Sequence, residues 1–287
     1  MSAATPSLAP APSTPRLPRG RTARLGLERA RFEVRTYFRH PDRVFFTFLF
    51  PVLMLAIFAT AFSAFDFGRD ENGDPVSAAA FYLPGMLAAG VLLSGLQNLA
   101  IDMAMEKSDG TLKRLAGTPL PVVSYFAGKI GQVLVTGLLQ AALLLAVAAL
   151  VFQVPLPTEP ERWVTFAWVF LLGVTTCAIL GIGLSQLPRS GRSASAVVIP
   201  IVLVLQFISG VYLRFSDLPV WLQNVAGVFP LKWLAQGMRA VFLPEGYASL
   251  EAGGDWDLGG IALATGAWLV VGLIVARLTF RWIRKDG

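Results

Sequence analysis

The chain has 287 residues, of which 55% are hydrophobic and 15% are charged, and its mean hydropathy is +0.62. A soluble globular domain of this length is much less apolar, so the composition excludes a soluble enzyme and indicates a polytopic membrane protein. The formal net charge of +6 does not indicate nucleic-acid binding, because the basic residues lie beside apolar segments, where they orient membrane helices.

The N-terminal part of the chain divides into a tail and a helix. Residues 1–20 are rich in Pro, Ala, Ser and Thr, a composition that favours a disordered cytoplasmic tail. Residues 21–41 are predicted to form an amphipathic interface helix that Pro41 ends. Its basic residues share one helical face, and they are Arg24, Arg31, Arg35 and Arg39. Such a face anchors a helix on anionic lipid headgroups or docks a partner protein, and the two roles are compatible.

Six apolar runs follow, and each is about 20 residues or longer, the length that a helix needs to cross a hydrocarbon core ~30 Å thick. The predicted spans are residues 44–65, 78–101, 123–152, 163–187, 194–213 and 258–280. These runs lack period-two alternation, and lipid offers the backbone no hydrogen-bond partners, so we expect helices. The predicted fold class is an all-α membrane protein in which residues 42–287 form one six-span domain.

The basic residues are divided unequally between the two sides of these spans. The side with both termini holds 19 of the 24 lysines and arginines, and the other side holds five. Cytoplasmic loops are enriched in Lys and Arg, so we expect both termini in the cytoplasm. The abundance of Ala, Gly and Arg is typical of a GC-rich bacterial genome, so the predicted location is a bacterial plasma membrane.

Intramembrane chemistry needs ionisable groups at depth, and the predicted spans carry no Asp, Glu, Arg or His in their interiors. The single histidine, His40, precedes the first span, so neither a metal site nor an intramembrane protease is expected. A proton- or sodium-coupled carrier normally has a buried carboxylate, which disfavours a secondary carrier. The sequence around Lys129 does not match the pattern of a phosphate-binding loop. Lys129 lies near the cytoplasmic edge of the third span, and we expect its side chain to snorkel towards water.

The loop after the second predicted span has the most specific pattern in the sequence. It reads Glu106-Lys107-Ser108-Asp109-Gly110-Thr111-Leu112-Lys113-Arg114-Leu115-Ala116-Gly117-Thr118-Pro119. Ser108 or Asp109 can cap a short helix here, and Pro119 would end it. We expect Leu112 and Leu115 to project together into a groove of a partner, with Glu106 and Arg114 at the rim of that contact.

This loop resembles the first cytoplasmic loop of ABC-2 type transporter permeases, among them the daunorubicin-resistance-type exporters. The residues that carry the resemblance are Glu106, Gly110, Thr111, Leu112, Arg114, Leu115, Thr118 and Pro119. In that family the loop is a coupling helix that docks into a separate ATPase subunit; the alternative is an ordinary solvated turn. The resemblance implies a dimer of permeases, with a second copy or a sister permease, and two ATPase copies that bind ATP and Mg²⁺.

Two further sets of residues are candidates for the substrate path and the outer gate. The polar candidates for the path are Gln132, Thr136, Gln140 and Gln206. Interhelical packing is their alternative role, because an amide deep in lipid needs a partner. The outer loop 214–257 is predicted to hold two short re-entrant helices, as in the family that the chain resembles. The gate candidates there are Trp221, Pro230 and Trp233, for which anchoring at the membrane interface is the alternative.

These features predict the permease subunit of an ATP-driven exporter that moves a hydrophobic or amphipathic substrate, such as a drug or a lipid, out of the cytoplasm. Export of a polysaccharide or a lipid-linked glycan is the second possibility, since exporters of that kind share the architecture. A nontransporting membrane anchor and a secondary carrier are the alternatives from other classes. No catalytic residue, metal or cofactor is expected on this chain itself.

Overall fold

The structure is a computed structural model that describes residues 19–70, 72–251 and 253–279. Within those residues the chain is helical and has no strand, apart from an isolated bridge between Arg69 and Pro75. Six helical stretches of this part are long and apolar enough to cross a membrane. The predicted all-α class with six spans is therefore confirmed.

The described residues form eleven α-helices, and a π-helical segment, Leu93–Asn98, joins α3 to α4 without a break. They are α1 (Arg19–Phe38), α2 (Pro41–Ala61), α3 (Ala78–Leu92), α4 (Leu99–Ser108), α5 (Thr111–Ala116), α6 (Val122–Leu150), α7 (Pro160–Leu184), α8 (Gly191–Ile208), α9 (Val220–Val228), α10 (Pro230–Phe242) and α11 (Leu258–Thr279). The six candidate spans are α2, the continuous stretch from α3 to α4, α6, α7, α8 and α11.

The first helix begins and ends a few residues earlier than predicted. It starts at Arg19, so residues 19 and 20 belong to the helix and not to the predicted tail, and residues 1–18 lie outside the described part. It ends at Phe38, and Pro41 is the first residue of α2, a position where the missing N–H of proline costs nothing. The predicted end of the last span, residue 280, also lies outside the described residues.

The second span is longer than the apolar run that predicted it. The helix continues to Ser108, whereas the sequence indicated an end at residue 101. The extra length contains Asp102 and Glu106, which lie beyond the predicted span and within the last two turns of the helix, so the interior of the predicted span remains free of carboxylates. A hydropathy pattern ends a predicted span at the first charged residue, here Asp102, because the pattern does not show that a cation elsewhere in the chain pairs with this carboxylate.

This second span is almost entirely buried, and close contacts with α7 hold it there. A Cβ atom at Gly181 of α7 would lie 2.6 Å from the carbonyl oxygen of Gly95, and one at Gly95 would lie 2.8 Å from Cβ of Cys177. Small residues at these positions let the two backbones approach each other.

We expect Gly181→Leu to destabilise the protein, because the backbone of Gly95 and Leu96 cannot move away from the new side chain. The expected cost is about 1–3 kcal/mol, as for other overpacked sites. Gly266→Leu is the matched control, because a Cβ atom at Gly266 meets no atom within 4 Å. Thermal unfolding in lipid nanodiscs measures the difference, and equal midpoints for the two variants would contradict the close contact.

Candidate functional site

A cluster of charged side chains is buried where α1, α4 and α6 meet. Lys129 of α6 is 2% exposed, and its Nζ donates to Oε2 of Glu33 at 2.9 Å and to Oε1 of Glu106 at 2.5 Å. Arg29 forms an ion pair with Glu33, and the hydroxyl of Tyr125 donates to Oε2 of Glu106 at 2.6 Å. We call these five residues the Lys129 cluster. It encloses two positive and two negative charges and is therefore neutral.

The Lys129 cluster exists because α1 lies directly on α6. A Cβ atom at Gly128 would overlap the side chain of Arg29, and one at Gly131 would lie 2.9 Å from Cβ of Ala30. The two glycines bring the helices close enough for Lys129 to reach Glu33. The expectation that Lys129 snorkels to water is wrong, since two carboxylates replace its hydration inside the protein.

A second ion pair fixes the beginning of α2. Nη1 of Arg43 lies 2.6 Å from Oδ2 of Asp102, which connects α2 to α4. A cavity of about 300 Å³ lies between this pair and the Lys129 cluster, and His40 also lines it. Among the described residues, no three His, Cys, Asp or Glu side chains form a group that could hold a metal ion.

The short helix α5 projects from the end of α4 that carries the Lys129 cluster. Gly110, at φ +80°, makes the turn between the two helices, a left-handed conformation that glycine adopts without strain. Oδ1 of Asp109 then accepts a hydrogen bond from the backbone N–H of Thr111 at 2.9 Å. The predicted short helix between Asp109 and Pro119 is thus present. The predicted cap at Ser108 or Asp109 is wrong, because Gly110 is the N-cap residue and the bond from Asp109 closes the turn before it.

The two leucines of α5 are placed differently from the prediction. Leu112 is 4% exposed and belongs to the hydrophobic core of this chain, and Leu115 is half-buried against the same core. The expectation that both insert into a partner is therefore wrong for Leu112, because this chain already fills the space around it. Glu106 is not at a rim either, since it contacts Lys129. The exposed residues of the loop are Ser108, Asp109, Lys113, Arg114, Gly117, Thr118 and Pro119.

The basic face of α1 is exposed within the described part of the chain. All four of its predicted residues are exposed, and they are Arg24, Arg31, Arg35 and Arg39. Large apolar side chains beside them are also exposed, namely Leu27, Phe32 and Phe38. A surface that offers both types of side chain fits a lipid interface. The role of this face stays a prediction.

Of the candidates for the substrate path, Gln140 is a packing residue. Its Oε1 accepts a hydrogen bond from Ser94 at 2.9 Å, and its Nε2 donates to the carbonyl oxygen of Thr47 at 2.8 Å. Gln140 of α6 therefore holds the π-helical segment and α2 together. Both ends of the amide are satisfied, which removes the cost of burying it.

The other candidates for the path do not join Gln140 in one cavity. Gln132 bonds to Thr136 on its own helix at 3.3 Å. Gln206 borders a different cavity, of about 320 Å³, between α2, the π-helical segment and α8. The sequence did not single out Gln97 and Asn98, which line the same cavity. Their position within an apolar helix is the only signal that could have indicated them.

The opposite end of the molecule is closed by a network around α10. Arg239 and Glu251 are both buried and form an ion pair, and Nη1 of Arg239 donates to the carbonyl oxygen of Gly210 at 3.2 Å. The hydroxyl of Tyr247 donates to the carbonyl oxygen of Phe67. The sequence indicated neither the ion pair nor the hydrogen bond of Tyr247, because residues that are distant in sequence form no local pattern.

The outer loop contains two short α-helices, α9 and α10, and two 3-10 helices, Phe215–Asp217 and Glu245–Leu250. That α9 and α10 re-enter the membrane stays a prediction. Pro230 begins α10 and is buried, and α10 packs against α3, α7 and α11. Trp221 is 66% exposed, and Trp233 is half-buried with its indole N–H donating to the carbonyl oxygen of Gly227 at 2.8 Å. Exposure of Trp221 fits an anchor at the membrane interface, and the gate role of these residues stays a prediction.

Comparison with known proteins gives a consistent set of matches. The family model described as ABC-2 type transporter matches residues 30–243. The probable multidrug ABC transporter permease YbhR of Escherichia coli K12 is 23% identical over 189 residues, which are 65% of this chain and 50% of that protein. The chain thus spans about half the length of this relative.

Two other relatives match over comparable stretches. The inner membrane transport permease YadH of Escherichia coli K12 is 22% identical over 193 residues, which are 67% of this chain and 74% of that protein. Heme exporter protein B of Paracoccus denitrificans is 34% identical over 157 residues, which are 52% of this chain and 67% of that protein.

Proposed function

The chain belongs to the ABC-2 type transporter family and is a multi-pass membrane permease, and from that premise we propose that it is the permease subunit of an ATP-driven exporter. ATP and Mg²⁺ bind to a separate ATPase subunit, and two ATPase copies work with a dimer of permeases. The cargo is a hydrophobic or amphipathic molecule. The observation that carries this proposal is the Lys129 cluster, which connects the loop 106–119 to two other helices.

A movement of the loop would reach several helices at once. Glu106 lies four residues before Gly110, so α5 and the Lys129 cluster are close in the chain. Separating Lys129 from its carboxylates would leave buried charges unpaired, which costs roughly 3–5 kcal/mol. When an ATPase displaces α5, it is therefore easier for α1, α4 and α6 to move together than to part. A rigid-body rocking of these helices is one of the ordinary ways in which transporters switch between two states.

The buried carboxylates do not favour a secondary carrier. Asp102 is paired with Arg43, and Glu106 is paired with Lys129 and accepts from Tyr125. A carrier needs a carboxylate that binds and releases its coupling ion. Protonation of Asp102 would leave Arg43 without this partner, and protonation of Glu106 would leave Glu33 as the one carboxylate of the Lys129 cluster for both Arg29 and Lys129.

The names of the relatives support a small cargo. Two of them are described as a probable multidrug permease and a heme exporter protein. On this basis a small hydrophobic or amphipathic molecule is preferred to a polysaccharide or a lipid-linked glycan as the cargo of this chain.

The function is tested by purification of the tagged chain in mild detergent. An ABC ATPase should copurify, and the complex should hydrolyse ATP and drive ATP-dependent transport after reconstitution into vesicles. If the chain purifies without any ATPase and transports its cargo in the absence of ATP, the proposal is contradicted and a secondary carrier is favoured instead.

The orientation is tested by cysteine labelling in a Cys177→Ser background. Thr158, Ser249 and Ser108 are all exposed, and the distribution of basic residues puts only Ser108 in the cytoplasm. In right-side-out membrane vesicles, an impermeant maleimide should label Thr158→Cys and Ser249→Cys and should not label Ser108→Cys. Labelling of Ser108→Cys alone would show that the orientation is the reverse of the predicted one. The helix α5 would then lie outside the cell, where a cytoplasmic ATPase cannot contact it.

A further inference from the structure

The π-helical segment Leu93–Asn98 lies halfway along the second span, which runs from Ala78 to Ser108. A π-helical turn closes its hydrogen bonds one residue further along the chain than an α-helical turn, so the segment holds one residue more than an α-helix in its place would. Single turns of this kind cause kinks in long helices and occur often at functional sites. The segment is therefore a place where the second span can bend.

The two halves of the second span differ in most of their neighbours. The first half, α3, packs mainly against α10 and α2, whereas the second half, α4, packs mainly against α8 and α7. The second half leads into α5, and it carries Glu106, which pairs with Lys129, and Asp102, which pairs with Arg43. The first half contacts α10, the helix of the network that closes the opposite end of the molecule. The π-helical segment thus joins two differently packed parts of the molecule.

The segment itself is held in place by side-chain and backbone contacts. Ser94 donates to Oε1 of Gln140 at 2.9 Å, and Nε2 of Gln140 donates to the carbonyl oxygen of Thr47 at 2.8 Å. Nδ2 of Asn98 donates to Oγ1 of Thr47 at 3.0 Å. Gly95 makes the close contact with α7 that is described above. These contacts fix the segment to α2, α6 and α7, so that the helices on either side of it can rotate about a fixed position.

We propose that the π-helical segment is the hinge of the second span, about which α4 and α5 rotate relative to α3 when the ATPase acts on α5. The inference rests on the proposed export function and adds the position at which the second span bends. With this hinge, α4 can follow α5 while α3 keeps its contacts with α10 and leaves the network at the opposite end closed. Without it, the span would have to tilt as one rod, and α3 would leave its buried position against α10.

Pro84 is a second feature that can bend this span. It lies inside α3, where a proline removes one backbone hydrogen bond and kinks a helix. The residues on both sides of Pro84 are buried parts of the same helix, so a bend there would not separate α4 from α3. The two positions are about two and a half helical turns apart, so a structure distinguishes a bend at one from a bend at the other.

The direct test is cryo-electron microscopy of the permease with its ATPase, once without nucleotide and once with ATP and vanadate. When the two structures are superposed on α3 and α10, α4 should be rotated by about 20° or more at residues 93–98, the usual size of a sharp helix kink. The internal control is α6, which is α-helical without interruption from Val122 to Leu150 and should stay straight. A second span that superposes as one rod from end to end, or that bends at Pro84 instead, would overturn the inference.

A deletion tests the same hinge through its function. Deletion of Gln97 removes the extra residue and joins α3 to α4 as one α-helix, so Ser94 stays in register with α3 and Asn98 with α4. The ATPase should still copurify and hydrolyse ATP, but ATP-driven uptake into inside-out vesicles should fall about tenfold or more, because the conformational step is blocked. Gln97→Ala is the matched control. It removes the same half-buried side chain, keeps the π-helical turn and should transport normally.

Normal transport by the deletion variant, or an equal loss of transport in Gln97→Ala, would overturn the hinge. Thermal unfolding in nanodiscs shows whether the deletion variant is folded, and if it is not, the two structures of the unsubstituted chain decide. The export function fails in other ways, namely when no ATPase copurifies with the unsubstituted chain or when transport proceeds without ATP. The two proposals therefore fail separately.

Discussion

Lys129→Met should abolish ATP-driven transport while the ATPase still binds and hydrolyses ATP. The substitution removes the cation shared by Glu33 and Glu106 and leaves Glu106 without a cationic partner in the Lys129 cluster. The free energy of unfolding should fall by about 3–5 kcal/mol, the usual cost of breaking a buried ion pair from one side. Transport should be lost because α5 is no longer tied to α1. Uptake into inside-out vesicles and thermal unfolding in nanodiscs measure the two effects.

Two companion variants distinguish transmission from simple stability. Lys129→Arg keeps a cation between the same carboxylates and should retain most of the transport activity. The double variant Lys129→Met with Glu106→Gln removes one charge of each sign, so the cluster stays neutral, and Tyr125 can still donate to residue 106. It should recover most of the stability and none of the transport. Recovery of both would show that the Lys129 cluster only stabilises the fold.

Arg114→Glu should weaken association with the ATPase at least tenfold and leave the stability of the permease unchanged. Arg114 is exposed on α5, and within the described part of the chain its side chain makes one hydrogen bond, to Oγ1 of Thr111 at 3.2 Å. Reversing a charge within a docked surface juxtaposes like charges or unpairs a partner, which costs more than truncating an exposed ion pair, worth about 0–1 kcal/mol. Quantitative copurification of the ATPase measures the effect.

The control for Arg114→Glu is Arg277→Glu. Arg277 is exposed near the end of α11, on the side of the membrane to which the same distribution of basic residues assigns α5. The substitution makes the same change of charge outside the loop 106–119, so copurification should be unchanged. Equal losses in the two variants would indicate a general electrostatic effect and would contradict docking at α5.

The sequence predicted the spans well, because hydropathy and length depend only on local composition. It also predicted the short helix α5, which depends on neighbouring residues such as Gly110 and Pro119, although it placed the cap at Ser108 or Asp109 and not at Gly110. It misjudged Leu112. The spacing of two leucines shows that they share a face, but it does not show whether this chain or a partner covers that face.

The buried polar contacts were beyond the reach of sequence patterns. Lys129 is separated from Glu33 by 96 residues and from Glu106 by 23 residues, and the residues next to Lys129 reveal neither pairing. The pair of Arg239 and Glu251 and the free amide of Gln206 are of the same kind. Each depends on which helices lie side by side, and apolar spans of similar composition do not encode their neighbours in a readable pattern.

The central claim is that the exposed surface of α5 is where a separate ATPase acts on this permease. The most direct test is photo-crosslinking in native membranes with p-benzoylphenylalanine in place of Lys113, which is exposed on α5, and in place of Thr158, which is exposed on the opposite side. Mass spectrometry of the Lys113 adduct should identify a protein with the phosphate-binding loop of an ABC ATPase, and the Thr158 position should give none. Crosslinking of no ATPase at position 113, with the permease folded and inserted, would contradict the account.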